Sequence, residues 1–169
     1  TPNDQHAASG APGHQYTQQK VDYVMDIRLD ETANTIYGDE NITYHNNSKD
    51  NLEYLWVQLD QNMRADDSKT PLAKSNSAAA FVTPDNFKSS FMKQKKGFGY
   101  NITKVESNGR PLSHTINSTM MRINLTKALA PGDTFKFSIQ WNYLINDINK
   151  DGGRSGLETF PDGNNNYTI

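Results

Sequence analysis

An all-β fold, an antiparallel β-sandwich or saddle with one short helical excursion near residues 83–94, is what this sequence predicts. Three observations carry it. Apolar and polar side chains alternate with period two over several segments. Turn chemistry separates those segments, most clearly at Asn108-Gly109. The strand-like segments recur at roughly ten-residue spacing, as in antiparallel sandwiches.

The first strand is "KVDYVMDIRLD". Val21, Tyr23, Met25, Ile27 and Leu29 share one parity, and Asp22, Asp26, Arg28 and Asp30 the other. That is the pattern of a half-buried strand. "ETAN" (31–34) is a turn. The second strand, "TIYGDENITYHN", places Ile36, Gly38, Glu40, Ile42 and Tyr44 on one parity. Gly38 inside a strand marks a bulge or a close backbone approach. "NNSKDN" (46–51) turns again. "LEYLWVQLD" (52–60) is apolar on both parities and predicts a strand covered on both faces.

Residues 61–99 show no clear period and read as an excursion. Within it, Thr83 has the position of an N-cap, Pro84 of a first helical residue and Asp85 of a first-turn acid. Phe87 and Phe91, four apart, would share a helix face. Strands resume with "YNITKVE" and the Asn108-Gly109 turn, after which "LSHTIN" is expected to pair back. "TMMRINL", the turn "LAPGD" and "TFKFSIQWNYLI" follow. The last puts Phe135, Phe137, Ile139, Trp141 and Tyr143 on one face.

Composition excludes several function classes. With 17 basic and 19 acidic residues the net charge is −2, so no strong field favours nucleic acid or an acidic membrane surface. The absence of cysteine removes disulfides and Cys-based zinc sites. No apolar run reaches the ~18 residues of a membrane span. The mean hydropathy of −0.81 is polar for a folded domain. It fits a chain with much loop, or one stabilised by neighbours outside it.

Catalytic motifs are missing. His6, His14, His45 and His114 do not stand three or four apart, and there is no H-E-x-x-H. Ser155 lies in "GGRSGLE", but Leu157 occupies the place where a nucleophile elbow needs glycine. Lys93, Lys95 and Lys96 read as a solvated basic run. Six N-x-S/T sequons, at Asn41, Asn46, Asn101, Asn117, Asn124 and Asn166, would mark exposed glycan sites in a secreted eukaryotic protein.

"DINKDGGRSGLE" matches the ligand spacing of a calcium loop, with Asp147, Asn149, Asp151, Gly152 and Glu158 in place. Its flanks argue otherwise. A period-two segment precedes it, and Pro161 prevents a helix from following. A polar turn and a calcium loop outside the helix–loop–helix context both remain open.

The order of motifs adds a resemblance. "QQKVDYVMDIRLDETANTIYGDENITYHNNSKDNLEYLWVQLDQNMRA", then "TMMRINLTKALAPGDTFKFSIQWNY", then "GGRSGLETFPDG" resemble the N-terminal domain of zinc metallopeptidases of the aminopeptidase N family, in its exported bacterial branch. Residues 1–16, small, polar and Gly/Pro-containing, read as a flexible leader outside this resemblance. The resemblance implies a β-rich N-terminal domain over 17–169, truncated before the catalytic domain. It further implies a non-catalytic role: packing on that domain and walling the cleft of an enzyme that removes N-terminal residues from peptides. Zinc would belong to the parent catalytic domain, with no cofactor in this segment. The expected partners are the catalytic domain of the same chain and the parent's peptide substrate. An exported, periplasmic or cell-envelope location is expected.

Gly152, Gly153, Arg154 and Glu158 are the expected domain-interface residues. Arg154 would pair with a carboxylate of the catalytic domain or with Glu158. The alternatives are a carbohydrate- or protein-binding β-sandwich and a calcium-stabilised β module.

Overall fold

The computed structural model describes residues 8–9, 11–13, 15–68, 83–85 and 97–168. Ten strands dominate it: β1 Lys20–Asp30, β2 Thr35–His45, β3 Leu52–Gln58, β4 Asn101–Ser107, β5 Arg110–Pro111, β6 His114–Asn117, β7 Met120–Leu129, β8 Thr134–Leu144, β9 Gly156–Thr159 and β10 Asn165–Thr168. A five-stranded antiparallel sheet, in the order β1-β2-β8-β4-β5, faces a three-stranded sheet, β3-β7-β6. β9 and β10 form a separate hairpin. The all-β expectation is met. Pro84 and Asp85 have helical backbone, while the rest of the predicted excursion, including Phe87 and Phe91, lies outside the described residues. So do His6, His14 and the lysine run.

Period two places the core. Ile42, Val105, Phe137 and Ile139 of the large sheet meet Leu55, Met121 and Ile123 of the small one, with Leu59 and Leu112 closing the ends. A second cluster of Ile36, Tyr143 and Ile145 lies further along the large sheet. Trp141 and Tyr100 pack against both clusters. The Trp141 ring stacks on Tyr143 at 5.6 Å, and Tyr100 meets both rings edge-on at 5.2 and 5.3 Å. Trp141 Nε1 donates to Glu40 Oε1 at 2.7 Å.

Gly38 is explained by this ring. β2 pairs β1 and β8 without a register shift, so there is no bulge. Gly38 lies opposite Trp141, and a Cβ there would overlap the indole. The close-approach reading of Gly38 is the right one.

Three sequence expectations are corrected. β3 is not covered on both faces. Leu55 is buried, but Tyr54 and Trp56 are exposed, because no described element lies over the outer face of the small sheet. The segment after Asn108-Gly109 pairs back only through Arg110–Pro111. The turn itself has the two positive φ angles of a tight hairpin, 51° and 72°. Burial of Leu112 then carries the chain to the other sheet, where His114–Asn117 pairs with β7. Finally, the apolar face of β1 is oriented as predicted but uncovered, since the small sheet does not extend over this edge. Tyr23, Met25 and Ile27 are 54%, 50% and 46% exposed.

Three buried asparagines anchor the loops. Asn46 donates from Nδ2 to the carbonyls of Asp50 and Leu129, at 2.8 and 2.9 Å, and accepts from Ser48 Oγ at 2.7 Å. Its burial removes this sequon from the candidate glycan sites. Asn62 donates to the Ser118 carbonyl and accepts from the Tyr100 amide at 2.7 Å. Asn146 is the third.

Two predictions follow from the Trp141 cluster. Gly38→Ala should destabilise the fold by about 1–3 kcal/mol in urea unfolding, the range for overpacking a filled core. The second concerns alkali. Burial, with Tyr143, Glu40 and Asp60 nearby, pushes the Tyr100 phenol from its ordinary 10.0 to about 12. Its folded-state value lies above its unfolded one. Its contribution to stability is therefore present below pH 10.0 and lost as pH rises through about 12. Urea midpoints should fall across that window, and Tyr100→Phe should remove part of the slope.

Candidate interface site

The loop that matched calcium spacing is built around Asn146. This residue is 3% exposed and continues from β8 through buried Ile145. Its Nδ2 donates to the carbonyls of Ser155 at 3.0 Å and Gly152 at 3.3 Å. Its own carbonyl accepts from the Leu157 amide at 2.7 Å. One asparagine thus closes the loop from both ends. Gly156 permits the closure: its φ is +142°, and a Cβ would overlap Asn146.

Between these anchors, Ile148–Asp151 form one turn of helix, α1, which the sequence reading did not anticipate. The signal was present in Asp147. Its Oδ1 accepts from the amides of Asn149 and Lys150, at 2.9 and 3.2 Å, as an N-cap does. Lys150 Nζ lies 2.7 Å from the other carboxylate oxygen. Lys150, with these amides, holds the Asp147 carboxyl below the usual range. Asp151 accepts from the Asp147 amide at 3.2 Å.

In this conformation the spaced acids serve the turn. Glu158 lies apart, on β9, opposite Asn166. Among the described residues no three His, Cys, Asp or Glu side chains converge as metal ligands would.

Gly152 and Gly153 occupy the exposed crest with positive φ, 69° and 112°. Arg64, at the end of the 3-10 turn Asp60–Arg64, packs against Gly153 and donates to the Gly152 carbonyl at 3.1 Å. A side chain at 153 would displace it. The loop is thereby tied to the turn that follows β3. Arg154 points outward, exposed, and among the described residues it pairs with neither Glu158 nor another carboxylate. Of its two expected pairings, the one with Glu158 does not form.

A second feature departs from the expectation that β3 is covered on both faces. On the outer face of the small sheet, Trp56 is 52% and Tyr54 40% exposed. Their rings meet edge-on at 6.1 Å, with 81° between planes. The Arg122 guanidinium lies over the Tyr54 ring at 4.1 Å. Arg122 is also the cross-strand partner of Trp56. Tryptophan, tyrosine and arginine are the residues that dominate binding energy at protein interfaces. The clue in the sequence was Gln58, a polar residue on the parity of Tyr54 and Trp56.

His45 and His114 take structural positions. His45 Nε2 lies 2.8 Å from Asp22 Oδ2, and His114 Nδ1 lies 3.1 Å from the Leu112 carbonyl. No described helix is long and apolar enough to cross a membrane.

No protein-family model and no curated protein matches the chain. Among solved structures, it is similar to an M1 zinc metallopeptidase from Deinococcus radiodurans, at 12% identity and a TM-score of 0.46, over 80% of this chain and 22% of that one. A mutant two-domain M1 zinc metallopeptidase bound to L-tryptophan is similar at 12% identity and 0.47, over 89% and 24%. A third, bound to L-arginine, is similar at 12% and 0.46, over 76% and 21%. The chain thus spans less than a quarter of the length of these structures.

Asn146→Ala should leave the Gly152 and Ser155 carbonyls without their donor, at a cost of about 1–3 kcal/mol. Amide exchange should accelerate over residues 152–157 and stay unchanged in β1 and β2. Uniform acceleration would show that Asn146 supports the whole fold rather than the loop.

Proposed function

We propose that this chain is a non-catalytic β domain of a larger, zinc-dependent, aminopeptidase-like metallopeptidase. Its role is to pack on the catalytic domain of the same chain and wall the substrate cleft. The observation that carries the packing role is the exposed Trp56–Tyr54–Arg122 face on an otherwise polar chain. Large aromatics left in water over a filled core suit a surface that another domain covers. The glycine-crested loop with outward Arg154 is tied through Arg64 to the turn that follows β3 and supplies a charged contact. The order of sequence motifs supports the metallopeptidase reading. The zinc and the peptide chemistry belong to the parent's catalytic domain, and an exported location goes with that family.

A binding-module reading draws on the same tryptophan. A sugar platform presents coplanar rings, whereas Trp56 and Tyr54 stand at 81°. That geometry favours a protein surface over a carbohydrate.

The test uses the 169-residue chain and the full-length parent. With zinc, the parent should hydrolyse aminoacyl-anilides and the chain alone should not. In the parent, Trp56→Ala should weaken domain packing by about 2 kcal/mol, and Arg154→Ala should lower activity or melting temperature. Hydrolysis by the chain alone would overturn the non-catalytic role. Parent variants with unchanged kinetics and melting would overturn the interface.

A further inference from the structure

β1 is an edge strand whose one protection is the charged outer row of Lys20, Asp22, Asp26, Arg28 and Asp30. It runs eleven residues, pairs β2 without a register shift, and contains neither proline nor glycine. Among the described residues no strand pairs with its outer edge. Natural sheets blunt such edges with bulges, proline, short strands or inward charges. Here the core-side row of Val21, Tyr23, Met25, Ile27 and Leu29 is entirely apolar, and its middle three residues are exposed.

The sequence of this strand is complementary to itself. With two copies of KVDYVMDIRLD antiparallel about Met25, Lys20 falls opposite Asp30 of the second copy and Asp22 opposite Arg28. On the other face Val21 meets Leu29, Tyr23 meets Ile27, and Met25 meets Met25. Each charge pair occurs twice by symmetry, and no like charges fall directly opposite. Asp26 is set against Val24. Directly opposed residues share a face of the sheet, so charges meet on the outer face and apolar side chains on the core face.

We infer that the β1 edge binds a second copy of this chain, β1 to β1 about a two-fold axis through Met25. The two five-stranded sheets then become one continuous antiparallel sheet of ten strands. The contact is isologous, as two-fold symmetry requires, and it closes on itself, so each dimer consumes both exposed edges. Backbone pairing supplies affinity, as in strand addition, and the side-chain rows fix the register. In the single chain Asp22 already holds Lys20 at 2.9 Å, and Arg28 lies 3.6 Å from Asp30. These exposed neighbours along the strand exchange for cross-strand partners. The inference is independent of the metallopeptidase reading, because it uses the free edge of the large sheet and not the outer face of the small one.

Sedimentation across a concentration series of the 169-residue chain tests it. The wild type should show a monomer–dimer equilibrium. Arg28→Asp places like charges opposite each other twice and should raise the dimer dissociation constant about tenfold or more. Asp22→Arg combined with Arg28→Asp restores opposite signs and should return it toward the wild-type value. A strictly monomeric wild type, or a double variant no better than Arg28→Asp, overturns the inference. Cysteine crosslinking decides independently of how those variants fold. In a chain without natural cysteine, Met25→Cys places two thiols at the axis, at about the 4.5–5.5 Å Cα spacing of directly opposed residues. It should oxidise to a covalent dimer much faster than Val24→Cys, whose own copy lies on the diagonal. Equal or absent crosslinking at the two positions also overturns it.

Discussion

The seat of Trp141 over Gly38 is the contact on which most of this domain depends. One ring joins the two halves of the core, since it packs against both buried clusters and stacks on Tyr143. It can lie flat against β2 only because residue 38 has no side chain. The indole N–H would be an unsatisfied donor in that position, and Glu40 accepts it from two residues along the same strand. Glycine, tryptophan and glutamate therefore form a unit across the β2–β8 pair. β8 is the natural place for it, lying between β2 and β4 and presenting five aromatic or branched residues to one face.

The loops are held by different means. Asn46, Asn62 and Asn146 are buried and spend their amides on backbone carbonyls, the first two far along the chain and the third across its own loop. Each supplies hydrogen bonds where the chain leaves regular pairing and its polar groups would otherwise go unsatisfied. This explains how a chain of such polar composition forms an ordered sandwich. These three asparagines are internal scaffolding, while most of the others lie at the surface. It also explains the loop at 146–158, whose acids cap and brace a turn around an asparagine.

The two sheets differ in width, and the functional surfaces follow from that difference. Three strands cannot cover five, so β1 overhangs with its apolar row in water. Among the described residues nothing covers the outer face of the small sheet, where Trp56 and Tyr54 are exposed. These two surfaces lie on different sheets and have different chemistry. One is an open backbone edge with a self-complementary charge pattern. The other is an aromatic and arginine patch. A domain with one surface for its own chain and another for a second copy can be both a wall and an assembly point.

The sequence by itself determined the longer strands, the parity of their rows, the Asn108-Gly109 turn and that Gly38 is a special position. These are set by period two and by local backbone preference, which act over a few residues. It also determined the absence of a metal or nucleophile motif. Only the tertiary structure decided which apolar rows are covered. Ile27 and Ile42 have the same side chain and are equally well placed in their strands. One is exposed and the other buried because a second sheet lies over β2 and not over β1. The same holds for Trp56, read as core from its neighbours, and for Asp147, read as a possible ligand from its spacing. Burial and hydrogen-bond partnership depend on what arrives from elsewhere in the chain, and alternation along one strand does not encode that arrival.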